Sequence, residues 1–296
     1  MKKRLYTDLH THSRLSDGML SQDDLIEEAG KAGIRALAIT DHNLDCPDFE
    51  ELASRHPDME LIRGSEISCL YRTSSGEEKE LHVVALDYDS DNPLMKQIFR
   101  KDIHDRKPYV DAILEKLREN GIDLGTYETL KADYPETHHL GRKQIADALK
   151  ERGYTKTVDE GFDIYIGNFG ERRAYVKYPF AYASLEEVTE AIIAAKGIPV
   201  LAHLFYYGLS EEENRKLLKH FSDLTAGIGA MEVEYGKYTR AQRDELKKYA
   251  SEYGLMESAA SDFHGQSETQ SLENAFPYEM YERMKERRKQ YYSVSA

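Results

Sequence analysis

Cysteine is almost absent from this chain: Cys46 and Cys69 are the only two in 296 residues. Two thiols cannot build the disulfide framework of a small secreted domain, and their scarcity fits a reducing cytoplasm. Long hydrophobic runs are missing as well. No apolar stretch approaches the roughly 20 residues that cross a bilayer. Met1-Lys2-Lys3-Arg4 leads into a strand rather than the apolar core of a signal peptide, so none is expected. Basic charge is in deficit, with 40 Lys and Arg against 54 Asp and Glu and a formal net charge of −14. That balance argues against a surface that coats extended nucleic acid, whose affinity comes mainly from phosphate neutralisation. It leaves room for a small anionic substrate, because bound metal ions can dominate the field locally. Internal repeats and low-complexity tracts are also lacking.

What the chain does have is histidine, 11 in all. His10 and His12 stand at i and i+2 on a short alternating strand, so both imidazoles point to one face and can reach one metal ion. Asp8, two residues before His10, is positioned to hold an imidazole in one tautomer. Further candidates recur downstream, each at the end of a strand-like apolar run: Asp41-His42, Gly64-Ser65-Glu66, Leu81-His82, Ala202-His203 and Asp262-Phe263-His264. The other five histidines, His56, His104, His138, His139 and His220, lie in polar or helical surroundings and read as structural.

The chain alternates strand and helix. A strand over 4–9 precedes a helix from Ser21 that stops at Gly33; a second strand covers 36–40, and a third 59–63 follows a short helix at 49–55. Runs 67–71 and 80–86 flank Ser74-Ser75-Gly76, a hairpin signal. Residues 93–119 read as one long charged helical stretch. Strand signal then fades until Ser184, which caps a helix over 185–196. Strands at 198–202, 230–234 and 256–261 alternate with helices at 211–221 and 240–252. The basic run 283–289 reads as a solvated helix face. Ligands at the ends of parallel strands predict a TIM-like α/β barrel, in two parts (1–103 and 184–296) around a small, mostly helical insertion (104–183).

Imidazole and carboxylate together suit zinc, manganese or iron better than calcium or magnesium. Six histidines with Asp17, Glu66 and Asp262 are too many donors for one ion and enough for two or three. Such a cluster polarises phosphoryl oxygens and lowers the pKa of a bridging water. Three divalent ions against three carboxylates leave a positive pocket for a phosphate monoester.

These motifs resemble the polymerase and histidinol phosphatase (PHP) family of metal-dependent phosphoesterases. The resemblance spans nearly the whole chain: Asp8 to Ser13, Ser16-Asp17-Gly18, Thr40-Asp41-His42, Gly64 with Glu66, the His82 and His203 strands, and Asp262 to Gly265. It implies a distorted (β/α)7 barrel with a trinuclear site. One metal would take His10, His12, Glu66 and Asp262; a second would share Glu66 and add His82 and His203; a third would take Asp17, His42 and His264. Asp8 and Asp41 would stand behind the ligands. Asp8 and His203 are the candidate catalytic groups. The insertion, with Gly141-Arg142-Lys143-Gln144-Ile145-Ala146 opening a helix, resembles the subgroup that dephosphorylates nucleoside 3′,5′-bisphosphates or trims short RNA from its 5′ end. Where that subgroup has Ala-His-Pro, this chain has Ala202-His203-Leu204.

The expected function is removal of phosphate from a small monoester, a nucleotide or short 5′-phosphorylated RNA, by a metal-bridging hydroxide. Arg142 and Arg173 are candidate phosphate contacts, since a guanidinium can bind phosphate bidentately. Phe205-Tyr206-Tyr207 offers either a stacking surface for a base or packing against the insertion. The alternatives are a histidinol-phosphate phosphatase, an exonuclease on longer nucleic acid, and a metal-binding protein without turnover. No membrane contact is expected.

Overall fold

The computed structural model describes residues 6–101, 106–138, 140–167, 170–177, 182–265, 271–272 and 276–294. His104 and His139, read as structural, lie outside this set, as do the N-terminal basic residues and part of the loop around Asn168. In chain order the elements are β1 (Tyr6–Thr11), α1 (Gln22–Lys31), β2 (Ile34–Ile39), α2 (Phe49–Arg55), β3 (Glu60–Arg72), β4 (Glu78–Leu86) and α3 (Pro93–Lys101). Then come α4 (Lys107–Glu119), α5 (Tyr127–Asp133), α6 (Arg142–Glu151), α7 (Val158–Gly161) and a π-helical turn over Phe162–Ile166. The chain continues through β5 (Ala183–Ser184), α8 (Leu185–Ala194), β6 (Ile198–Leu201), a 3-10 turn (Leu204–Tyr207), α9 (Glu211–Thr225), β7 (Ala230–Tyr235), α10 (Arg240–Tyr253), β8 (Met256–Ala260), β9 (Phe276–Pro277) and α11 (Glu279–Val294).

By backbone contacts the chain divides into two units: 1–13, 18–102 and 182–296 form one, and 14–17 with 103–181 form the other. The first unit carries a single sheet in the order β8-β7-β6-β4-β3-β2-β1-β9, with β5 paired to β3. Its ends meet, because Asp262 N–H donates to His10 O and His12 N–H to Phe263 O, both at 2.9 Å. The sheet is thus a nearly closed TIM-like barrel.

Not every strand is parallel. β4 runs antiparallel to both β3 and β6, and β9 runs antiparallel to β1. β3 is one strand of 13 residues rather than two pieces separated at Gly64. It pairs with β2 up to Arg63 and with β4 from Gly64 onward. The change of partner needs glycine: a Cβ at Gly64 would stand 2.7 Å from the Thr40 side chain. Glu66 and His82 therefore lie within strands rather than at their ends, which corrects the sequence expectation. Because β4 runs backwards, its first half reaches the same end of the barrel as the last residues of the parallel strands.

Strand periodicity then layers the barrel. Ile62, Gly64 and Glu66 share one face of β3, Leu86, Val84 and His82 one face of β4, and Ala230 and Glu232 one face of β7. Ile62, Val84, Leu86, Val200 and Ala230 pack in one cluster with Tyr281 and Met284 of α11. The polar residues form the opposite layer. Of the basic run on α11, Arg283, Arg287 and Lys289 are exposed as expected of a solvated face, but Lys285 pairs with Glu60 at 2.6 Å, Arg287 donates to Gly227 O, and Arg288 donates to Lys196 O and Asp87 O. These bonds fasten α11 across the apolar end of the barrel.

In the second unit, Tyr109, Val110, Ile113, Leu114 and Leu117 recur at helical spacing on α4 and pack against Leu130, Leu140, Ile145 and Leu149. Each fully buried branched side chain there contributes roughly 1.5–3 kcal/mol. α6 begins as its sequence suggests, with Gln144 Oε1 accepting Gly141 N–H at 2.9 Å.

Candidate metal centre

The centre is built on β1. His10 is fully buried, and its Nδ1–H donates to Glu232 Oε1 at 2.6 Å. That bond orients the ring within the cluster. Nε2 faces His12 Nε2 at 3.0 Å, Glu66 Oε2 at 3.3 Å and Asp262 Oδ1 at 3.7 Å. Two imidazoles and two carboxylates thus converge on one point, a donor set suited to a divalent cation.

Glu66 is the hub. Its Oε2 lies within 3.3 Å of His10 and His12 and 3.0 Å of His42 Nδ1. Its Oε1 lies 2.7 Å from His82 Nδ1 and 2.9 Å from His203 Nε2. Burial would raise this carboxyl, but the imidazoles of His82, His10 and His42 outweigh it and hold it well below the usual carboxylate range. The same attraction overcomes burial at His82 and pushes its imidazole up to about 10. Asp262 behaves like Glu66: burial opposes ionisation, and His264, His12 and His10 keep it ionised. Its Oδ1 stands 3.4 Å from His12 Nε2 and 3.5 Å from His264 Nδ1.

The backbone at the rim is unusual. Asn43, His203 and Asp262 have positive φ of 55°, 25° and 53° without being glycine. Such conformations cost about 1–3 kcal/mol each and persist where surrounding contacts fix them. At His203 the contact is Glu232 Oε2, which accepts its N–H at 2.7 Å. A proline at 204 would push residue 203 toward extended backbone; Leu204 permits the observed turn. His203 Nδ1 is buried with no hydrogen-bond partner.

Glu232 is the residue that sequence reasoning missed, and it takes the role expected of Asp8. Asp8 does not hold an imidazole: its Oδ1 accepts the N–H groups of Ser261 (3.0 Å) and His10 (3.4 Å), and so ties β1 to β8. Burial pushes its carboxyl up to about 6 against those bonds. Asp41 accepts both N–H and Oγ–H of Ser13, at 2.8 and 2.6 Å, and so fixes the chain just past His12. Of the candidate phosphate contacts, Arg142 opens α6 and Arg173 is engaged by Glu171 at 2.6 Å. Asp17 belongs to the segment 14–17 of the second unit, where it accepts from Ser16 Oγ at 3.2 Å. Tyr207 is buried and donates to Ala202 O, Phe205 packs on Tyr238, and Tyr206 is exposed. His56 and His220, read as structural, bond Asp23 and Glu186.

The donor set fits divalent cations. Ligand atoms of His10, His12 and Glu66 lie within 4.8 Å of one another, as do those of His42, Glu66 and His82. Because Glu232 orients His10 and the His203 backbone, Glu232→Gln should weaken metal binding about 10–100-fold while the fold persists. Competition with a metallochromic chelator measures this; an unchanged affinity would remove Glu232 from the site.

Comparison with known proteins agrees with this geometry. The PHP domain family matches residues 8–293. The chain belongs to the PHP family. Among curated PHP relatives, a 5′-3′ exoribonuclease from Haemophilus influenzae is 32% identical over 87% of this chain and 89% of its own. A 3′,5′-nucleoside bisphosphate phosphatase from Chromobacterium violaceum is 28% identical over 88% of each chain. Among solved structures, an amidohydrolase from Chromobacterium violaceum, with sulfate bound and no metal, superposes with a TM-score of 0.78 at 25% identity, over 95% of this chain and 96% of that one.

Proposed function

We propose that this PHP protein is a metal-dependent phosphohydrolase that removes phosphate from a nucleotide. Its substrate would be a nucleoside 3′,5′-bisphosphate or an AMP-like monoester. The observation that carries this reading is the Glu66 carboxylate shared by five imidazoles, with its two oxygens facing different rings. Two or three ions are proposed, of manganese, iron or zinc. His10, His12, Glu66 and Asp262 would hold one, Glu66, His82 and His203 another, and His42 and His264 a third with Asp17, which is assigned on its motif. When bound, such ions supply Lewis-acid polarisation and a nucleophile at neutral pH. The chain's own part is orientation. Glu232 sets His10 and the His203 backbone, Asp41 sets the chain after His12, and burial of His10, His12 and Glu66 keeps the donors dry. A cytoplasmic location belongs to the same reading, supported by two buried free cysteines.

The test is phosphate release from adenosine 3′,5′-bisphosphate, AMP, histidinol phosphate and a short 5′-phosphorylated RNA with added manganese, for wild type and His12→Ala. The bisphosphate should turn over fastest and the variant should be inactive. If histidinol phosphate wins, the nucleotide assignment fails while the metal assignment stands. The exoribonuclease among the relatives supports a second reading, trimming of short RNA. A steep fall of oligonucleotide hydrolysis with salt would favour it over the mononucleotide.

A further inference from the structure

The turn after β7 places a cation beside the cluster that no motif pointed to. Gly236 N–H donates to Ala260 O and Tyr238 N–H to Tyr235 O, both at 3.0 Å, so the turn is fastened to the end of β8. Lys237 leaves it toward Asp262. The two oxygens of Asp262 divide their work: Oδ1 faces the imidazoles, whereas Oδ2 accepts the Tyr235 hydroxyl at 2.6 Å and stands 3.5 Å from Lys237 Nζ. The ammonium also lies 5.7 and 5.9 Å from the ring centres of Tyr206 and Tyr235, within cation–π range.

This ion pair is a loose one. Lys285 closes on Glu60 at 2.6 Å and Lys96 on Asp91 at 2.7 Å, as charge-assisted bonds normally do. Lys237 is less exposed than either, 24% against 37% and 46%, yet its bond to the carboxylate is long, at 3.5 Å. It shares Oδ2 with the Tyr235 hydroxyl and lies over two aromatic rings. A half-buried cation beside a candidate metal ligand, bonded to it only loosely, is arranged for an incoming anion.

We infer that Lys237 is a substrate-binding residue whose ammonium takes an oxygen of the phosphoryl group seated on the Asp262 side of the cluster. The inference rests on the phosphohydrolase reading for the nature of that group. A fixed ammonium there stabilises charge on the phosphoryl oxygens. Tyr206 and Tyr235 act as positioning residues for it.

The test uses the metal-loaded full chain, with inorganic phosphate as the binding probe by calorimetry and p-nitrophenyl phosphate for steady-state kinetics. Lys237→Met should bind phosphate about 10–100-fold more weakly and lose kcat/KM by a similar factor, with metal content per chain unchanged. Lys237→Arg should recover part of both. Unchanged phosphate affinity in Lys237→Met would overturn the inference. So would loss of metal together with phosphate, which would make Lys237 a mere neutraliser of Asp262, and so would failure of the wild type to bind phosphate. A nucleotide panel that fails while phosphate binding depends on Lys237 would sink the nucleotide assignment alone.

Discussion

Replacing Glu66 with alanine should abolish turnover and strip the protein of its metals while leaving the barrel folded. Glu66 contributes no apolar packing; it lies in the polar layer, in contact with His10, His12, His42, His82 and His203. Its two oxygens face different imidazoles, so it is the one side chain through which two ions would be coupled. Removing it takes a ligand from both at once and leaves a void between imidazoles that then repel when protonated. A fall in kcat/KM of a thousandfold or more is expected, which is about 4 kcal/mol of transition-state stabilisation. Metal analysis after gel filtration and near-UV circular dichroism separate loss of metal from loss of fold. A variant with wild-type metal content and a tenth or more of the activity would show that the ions are held without Glu66. Glu66→Gln is the finer probe: it fills the same space, so its defect isolates the missing charge.

How much of this was legible in the sequence follows from what periodicity can and cannot encode. The HxH pair was readable because i and i+2 on a strand share a face whatever the neighbours do. Helix starts at Ser21 and Ser184 were readable because capping is local, and both side chains accept the N–H three residues on. The hairpin across Ser74-Ser75-Gly76 was readable for the same reason. β3 was harder, since its change of partner at Gly64 depends on the methyl group of Thr40, a contact between strands far apart in sequence. Glu232 was hidden by a bulge. Glu232 and Glu234 alternate on β7 and look equivalent, but the register with β8 shifts between them. Glu232 turns to the imidazoles, whereas Glu234 turns out to pair with Lys247 at 2.5 Å and Arg243 at 3.5 Å. Lys237 escaped notice because nothing in a Tyr-Gly-Lys-Tyr turn marks its lysine as facing a carboxylate 25 residues later. The basic run of α11 suggested solvent by composition, and Arg283, Arg287 and Lys289 are exposed; the backbone carbonyls that Arg287 and Arg288 reach are partners composition does not display.

Gly18→Ala should damage both the fold and the cluster. In Ser16-Asp17-Gly18 the glycine reads as a turn residue, but its backbone does not need positive φ; what it needs is space. A Cβ there would come 2.2 Å from the His12 carbonyl oxygen and 2.9 Å from the Ser13 carbonyl carbon. Neither can retreat freely. His12 N–H is bonded to Phe263 O, Ser13 is held by Asp41 through both N–H and Oγ–H, and Gly18 N–H itself donates to Ser13 O at 2.9 Å. The next residue, Met19, donates to His264 O at 2.7 Å. A methyl group must therefore move the backbone that carries His12, whose ring stacks on His264 at 4.1 Å and faces Glu66 and Asp262. Overpacking of this kind costs about 1–3 kcal/mol, a fall of several degrees in Tm for a chain of this size. Metal affinity should fall as well, because His12 is displaced from the cluster rather than removed. Thermal melts of the metal-free protein read the first effect, and metal titration reads the second. If the melt drops and affinity does not, the strain relaxes through the 14–17 segment instead of His12; if neither changes, the close approach is not obligatory.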